Sequence, residues 1–517
     1  MTARAWRRSH RGPVRLLVGV LTIGSLSLAL APVMSAAPAD PYPASLAAFY
    51  TQKPAWTSCG SASGSGKAAE REQCTWITVP LDYADPAGAT LNLRVARWSA
   101  TGPTKLGSLV VNPGGPGAAG IDFGDYVATS APGIAAAYDV VGFDPRGVGL
   151  SAPITCLTGP QTTTFLRTDS TPATARQVQE YVKVSQGLAN GCVTLSPGLA
   201  RNVGTDNTVQ DMDIIRASLG DSVLNWLGAS YGTYLGVRYI EQYPTRVGRM
   251  VLDGVVDPSL DAMALSYGQS VGFQRAVARF AADCAKHRTC PYPGGAAGVI
   301  KGINGLLAQL DAHPMYTTNR LRLVQNEATT AVIQAMYAPF LWPTLRDGLS
   351  QARRGNGTEL QRLAAFASDQ TGPNTYGSNM ASAFPAIGCW DAPAPPGPSG
   401  LKAAAAAWAA KATVPEIART LAWGNLPCGL WFGHSPVVPA PAHSSTTAPI
   451  LLVGTKYDPA TPYWWAQALH QQLPTSTLLT YEGDGHTAFS TGSTCIDRTI
   501  TAYLVQGNVP APDTVCR

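Results

Sequence analysis

A serine hydroxyl becomes a nucleophile only when a base takes its proton and a carboxylate orients that base. A hydrolytic centre therefore needs a serine, a histidine and an acid on turns that can converge. Gly228-Ala229-Ser230-Tyr231-Gly232 follows the apolar run Val223-Leu224-Asn225-Trp226-Leu227 and precedes a helical segment from Thr233 to Tyr243. A strand that turns at once into a helix around Gly-x-Ser-x-Gly is a nucleophile elbow. Its glycines let strand and helix approach closely, and its serine is held in a strained, outward-facing conformation. Ser230 is the candidate nucleophile. A second copy of the pattern, Gly268-Gln269-Ser270-Val271-Gly272, has no β-type run before it. It lies in Ala-rich sequence from Asp261 to Phe280 and reads as a serine on a helix.

The base is expected on a flexible turn after a strand. His486 fits, in Glu482-Gly483-Asp484-Gly485-His486-Thr487, directly after the strand-like run Thr477 to Tyr481. His287, His313, His434 and His443 fall in a helical insertion or linker, and His470 lies on a helix, where surface or packing roles are expected. The acid should also follow a strand, and Asp458 does so in Gly454-Thr455-Lys456-Tyr457-Asp458-Pro459. Asp253, at the end of the strand after the nucleophile helix, is its rival. Asp484 stands too near His486 in sequence to approach the ring from behind. An oxyanion hole needs backbone N–H groups where negative charge develops. Asn112-Pro113-Gly114-Gly115-Pro116-Gly117 follows a strand and offers Gly115 as one donor; Tyr231, after the nucleophile, offers the other. The glycine loop has neither the Lys-Ser/Thr of a P-loop nor the Gly-x-Gly-x-x-Gly of a dinucleotide site, so no cofactor is expected.

The elements that must position these groups are short strands alternating with helices. Strands are expected at Thr75 to Val79, Leu91 to Ala96, Leu109 to Asn112, Val140 to Phe143, Val223 to Leu227 and Met250 to Leu252, then again at Ile450 to Gly454 and Thr477 to Tyr481. Helices are expected over Trp464 to Gln472 and Cys495 to Val505. This alternation predicts an α/β fold with a mainly parallel central sheet covered by helices on both faces, the first two strands forming an antiparallel edge. Between the two sets of strands the sequence is helical with proline-rich breaks at 391–398 and 436–449. The expected organisation is a leader over 1–37, a core over 38–257, a large helical cap over 258–445 and the rest of the core over 446–517. Such an insertion lies over the carboxyl ends of the strands, where ligands bind in these sheets.

The N-terminus carries Arg4, Arg7, Arg8, Arg11 and Arg15, then an apolar run from Leu16 to Ala31, then small residues. That is the pattern of a secretory signal peptide, too short and too rich in Gly and Ser for a membrane span. Its removal takes five arginines and no acids, bringing the formal charge from +5 to about zero and leaving no basis for nucleic-acid binding. The mature protein is expected to be extracellular, with no membrane attachment. Ten cysteines in an exported chain imply disulfides. The simplest pairing is between nearest neighbours: 59 with 74, 156 with 192, 284 with 290, 389 with 428 and 495 with 516. No Cys-x-x-Cys or His-x-x-x-His spacing supports a metal site.

Together, Asn112 to Gly117, Gly142-Phe143-Asp144-Pro145-Arg146-Gly147-Val148-Gly149-Leu150-Ser151 and Gly228 to Gly232 resemble the prolyl aminopeptidase branch of the α/β-hydrolases. The order Ser230, Asp458, His486 is that superfamily's triad order. Within the branch the chain looks most like the secreted bacterial tripeptidyl aminopeptidases, which carry a Gly-Thr-x-x-Asp-Pro-x-Thr-Pro and Gly-His pattern like that at Gly454 to Pro462 and Gly485-His486. Many relatives have His-Gly-Gly-Pro-Gly where Asn112-Pro113 begins the loop here. The resemblance implies an α/β-hydrolase fold and release of short peptides, expected to be tripeptides, from peptide or protein substrates with a free N-terminus. It also implies a cap carboxylate for the substrate's ammonium, for which Asp391 is the candidate, a helix or turn cap being its alternative role. Asp144 to Gly147 is expected to brace the site. A carboxylester or amide hydrolase using the same triad is the alternative function.

Overall fold

The structure is a computed structural model that describes residues 42–60, 70–318 and 321–517. The expected leader lies outside the described residues. A ten-stranded sheet runs through the molecule in the order β1-β2-β3-β5-β4-β6-β7-β10-β11-β12. The strands are β1 (Thr57–Ser58), β2 (Glu72–Pro80), β3 (Thr90–Trp98), β4 (Ser108–Asn112), β5 (Asp139–Phe143), β6 (Leu224–Ala229), β7 (Val247–Asp253), β10 (Ile450–Tyr457), β11 (Ser476–Asp484) and β12 (Val515–Cys516). A separate hairpin pairs β8 (Gln370–Gly372) with β9 (Thr375–Tyr376). From β5 to β12 every neighbouring pair is parallel, whereas β1, β2, β3 and β5 pair antiparallel. The edge therefore extends one short strand beyond the predicted pair.

The central strands read as unbroken apolar runs because both faces are covered. Along β6 and β7 successive side chains alternate between two apolar layers: Trp226, Met250 and Leu252 pack on one face, Leu227 and Val251 on the other. Register then fixes the site. Asn112 at the end of β4 pairs with Gly228, Ala229 pairs with Asp253, and Asp253 pairs with Val453. The glycine loop, the elbow and the acid turn thus leave the sheet side by side.

Between β7 and β10 the chain forms helices from Ala262–Cys284 to Leu426–Gly429, with an apolar cluster of their own that includes Phe273, Val277, Leu307, Leu345 and Ile417. Two helices from earlier in the chain, Gly159–Arg167 and Ala175–Leu195, join this region. Arg167 pairs with Glu327, and Ser170 donates to Asn326 Oδ1 at 2.7 Å. All ten cysteines are bonded, each to its nearest neighbour in sequence.

The turn after β5 is held by a buried ion pair. Arg146 places Nε and Nη2 on the two Asp211 oxygens at 2.7 and 2.6 Å, both side chains being fully buried. Its remaining protons go to the carbonyls of Pro80, Leu81 and Asn202. With all five donors used, Arg146 is a brace. Removing one member of such a pair strands a buried charge, so Asp211→Ala is expected to cost about 3 to 5 kcal/mol of stability, read as a fall in the urea midpoint.

Candidate active site

Ser230 has φ 57° and ψ −125°, a conformation that a non-glycine residue rarely holds. The glycines around it explain why the chain tolerates this. A Cβ on Gly228 would lie 2.3 Å from the Gly232 carbonyl, and one on Gly232 would lie 2.7 Å from that of Asn112. The Ser230 N–H donates to the Asp253 carbonyl at 2.8 Å, and Thr233 returns its N–H and hydroxyl to the Ser230 carbonyl at 2.8 and 2.6 Å. The serine is thus pinned at the start of the helix Tyr231–Gln242.

The glycine loop presses on this elbow. A Cβ on Gly114 would stand 2.8 Å from the Tyr231 nitrogen and 3.0 Å from the Ser230 Cβ. The Gly114 N–H is taken by Asn112 Oδ1 at 2.9 Å, so the next amide along the loop is that of Gly115, itself at φ 108°. Asn112 therefore shapes the loop from within.

The Asp458 carboxylate is fully buried and faces the imidazole, His486 Nδ1 lying 3.0 Å from each of its oxygens. It also accepts the Ala460 and Thr461 N–H groups at 2.8 Å each, the Thr461 hydroxyl at 3.0 Å and the Thr487 N–H at 3.0 Å. Its lone pairs are saturated, and its orientation is fixed. Asp253 contacts the same loop differently: its carboxylate accepts the Ala488 N–H at 2.9 Å and the Phe489 N–H at 2.7 Å. Burial, partly offset by those two bonds, pushes its carboxyl up to about 6. Asp253 clamps the histidine loop from below, while Asp484 pairs with Arg279. A Cβ on Gly254 would fall 3.3 Å from His486 Cε1, so the dipeptide Asp253-Gly254 touches both His486 and, through the Asp253 carbonyl, the Ser230 backbone.

The helical region supplies a contact that the sequence reading missed. The His486 N–H donates to the Tyr337 carbonyl at 2.8 Å, and the Tyr337 ring meets the imidazole edge-on, 5.3 Å between centroids. Thr461 was also missed as a ligand of Asp458, although the Asp-Pro-x-Thr pattern that contains it was visible. For Asp391 the structure displays the capping role. It ends the helix Met380–Asp391, and its carboxylate accepts the Thr205 N–H at 2.8 Å and the Thr205 hydroxyl at 2.6 Å, at the start of the helix Thr205–Leu219. Thr205 Oγ1 in turn shares a hydrogen bond with the Tyr231 hydroxyl at 2.5 Å. Burial is the main reason that the Asp391 carboxyl is pushed up to about 7, Thr205 working against it.

Burial disfavours protonation of His486, but the charge and hydrogen bond of Asp458, with Asp253 behind, outweigh it and hold the imidazole above its ordinary 6.5. Only the neutral ring takes a serine proton. The rate is therefore expected to rise with pH, with the midpoint of kcat/KM above 6.5. A pH–rate profile with its midpoint at or below 6.5 would tell against this environment.

The fold and this arrangement define an α/β-hydrolase of the serine type. Residues 414–516 match the model of a family described as TAP-like protein. The chain is 35% identical over 99% of its length, and 99% of the relative's, to a Mycobacterium tuberculosis protein named carboxylesterase B. It is 35% identical to the serine protease Hip1 of that species, covering 89% of this chain and 90% of Hip1. It is also 31% identical to a tripeptidyl aminopeptidase of Streptomyces coelicolor, covering 86% of this chain and 83% of that one. The chain belongs to the tripeptidyl aminopeptidase family of α/β-hydrolases and is a serine hydrolase.

Proposed function

We propose that the protein is a secreted exopeptidase that releases tripeptides from free N-termini through an acyl-enzyme. Ser230 Oγ attacks the scissile carbonyl while His486 takes its proton, and the amides of Gly115 and Tyr231 receive the developing oxyanion. His486 then protonates the leaving amine. Water, deprotonated by the same imidazole, releases the peptide by the reverse path. Asp458 orients the ring and stabilises its charged form. Asp391 accepts the substrate's ammonium in addition to capping the helix Thr205–Leu219.

The observation that carries the exopeptidase reading is the course of the helix Met380–Asp391. Its Ala383-Phe384 turn rests on the glycine loop, a Cβ on Gly117 falling 2.9 Å from Ala383 Cβ, and its last residue is Asp391. From that turn to Asp391 the helix rises roughly 12 Å. Three extended residues span roughly 10 Å. A carboxyl whose burial pushes it up to about 7 gains from a cation brought beside it. Export is supported by five disulfides and by the leader-like sequence.

A second reading, a carboxylester hydrolase, is favoured by the end-to-end match to the relative named carboxylesterase B. A tripeptide anilide with a free amine, its N-acetylated twin and a simple ester decide between them. The exopeptidase cleaves the first at least a hundredfold faster than the second, and Asp391→Asn narrows that gap. Equal rates on both peptides, or turnover of the ester alone, would support the esterase.

A further inference from the structure

The helix Ala262–Cys284 contains the second Gly-x-Ser-x-Gly, which the catalytic reading leaves without a purpose. Gly268, Gly272, Arg275 and Arg279 follow one another at intervals of four, three and four residues, and so lie along one helix face. That face rests on the acid turn. A Cβ on Gly272 would lie 2.4 Å from the Pro459 carbonyl and 3.2 Å from that of Asp458, and one on Gly268 would meet the Trp465 ring at 2.6 Å. Gln269 donates to the Ala460 carbonyl at 3.0 Å. The glycines bring this helix into backbone contact with the turn that carries the acid.

Two turns beyond Gly272, Arg279 bridges the acid and histidine turns. Its guanidinium lies 3.6 Å from the centroid of Tyr457, the residue before Asp458, and it grips the Asp484 carboxylate with Nε and with Nη2, the latter at 2.8 Å. Asp484 stands two residues before His486, with Gly485 at φ 102° between them. A Cβ on Gly485 would lie 3.0 Å from both the Tyr337 carbonyl and Pro339 Cδ, so the far side of the loop is already closed.

We infer that Arg279 is a positioning residue that sets the geometry of the Asp458–His486 pair by fixing the ring of Tyr457 and the carboxylate of Asp484, the last register partners of β10 and β11. The inference rests on the reading of Ser230, Asp458 and His486 as the triad. An arginine fits the task because a planar fork can stack on a ring and grip a carboxylate at once, which an ammonium cannot do. The glycine stripe gives the arginine its register.

The test compares Arg279→Met, Arg279→Lys, Asp484→Asn and the Arg279→Met/Asp484→Asn double variant in the full chain. Sites are counted by exhaustive fluorophosphonate labelling, and kcat and KM are measured on the tripeptide anilide and on a simple ester. The Arg279 side chain is 40% exposed, Lys keeps its charge and Asn keeps the shape of Asp, so folded protein is expected. Each single variant should lose about tenfold to a hundredfold in kcat per labelled site, with KM changed less than twofold. The double variant should be no worse than the worse single one, and Lys should recover no more than about a tenth of the activity lost in Met. An unchanged kcat per labelled site, or additive losses in the double variant, would overturn the inference. Turnover that survives Ser230→Ala would instead refute the triad reading on which it rests.

Discussion

Ser230→Ala is expected to lower kcat by about a millionfold, and His486→Ala by about as much, while the double variant loses no more than either alone. The two groups act as one unit, so removing the second adds nothing once the first is gone. The elbow's backbone bonds, from the Ser230 N–H to the Asp253 carbonyl and from Thr233 to the Ser230 carbonyl, do not involve the hydroxyl and should survive the change. The variant should therefore fold, bind substrate with nearly unchanged affinity and resist fluorophosphonate. A Ser230→Ala protein that still labels or turns over would assign the nucleophile elsewhere. Additive losses would separate the roles of the two residues.

Asp458→Asn should lower kcat by about ten-thousandfold with little change in fold, because an amide facing Nδ1 selects the wrong imidazole tautomer and no longer stabilises the charged ring. Asp253→Asn should behave differently. Its carboxylate faces two backbone N–H groups beyond the histidine and not the ring nitrogen, so the loss should be much smaller and come with a looser loop. Protease nicking near 486–490 would report that loosening. The ordering sinks if Asp253→Asn proves the more damaging of the two. Asp458→Asn should also lower the midpoint of the pH–rate profile, since the Asp458 carboxylate is what lifts the imidazole against its burial.

The elbow was legible in the sequence because its physics is local: an apolar run, two glycines and a helical stretch within about twenty residues. The histidine turn was legible for the same reason. Parallel order and the carboxyl-end placement followed from alternating strands and helices. The two-residue strands β1 and β12 were not legible, since so short a run has no periodicity to read. Nor was the task of Asp253, whose partners are backbone amides 235 and 236 positions away. Tyr337 holds the histidine through its carbonyl, a group that every residue carries, so its identity signalled nothing. The second Gly-x-Ser-x-Gly is instructive in the opposite direction. Its glycines are needed for close approach, as in a true elbow, but it is a helix that approaches a turn, and Ser270 is simply buried, about 200° round the helix from the glycine face.

The disulfides close spans of 6 to 39 residues, and none joins the chain before the helical region to the chain after it. Two lie before that region, two within it and one after it. Apart from the chain itself, the segment bearing Ser230 and the segment bearing Asp458 and His486 are therefore joined, among the described residues, by noncovalent contacts alone, chief among them the β7–β10 ladder. A single cut in the helical region outside the disulfide spans 284–290 and 389–428 would leave a two-piece protein, intact under native conditions, whose halves would separate in detergent even with every sulfur bridge unbroken.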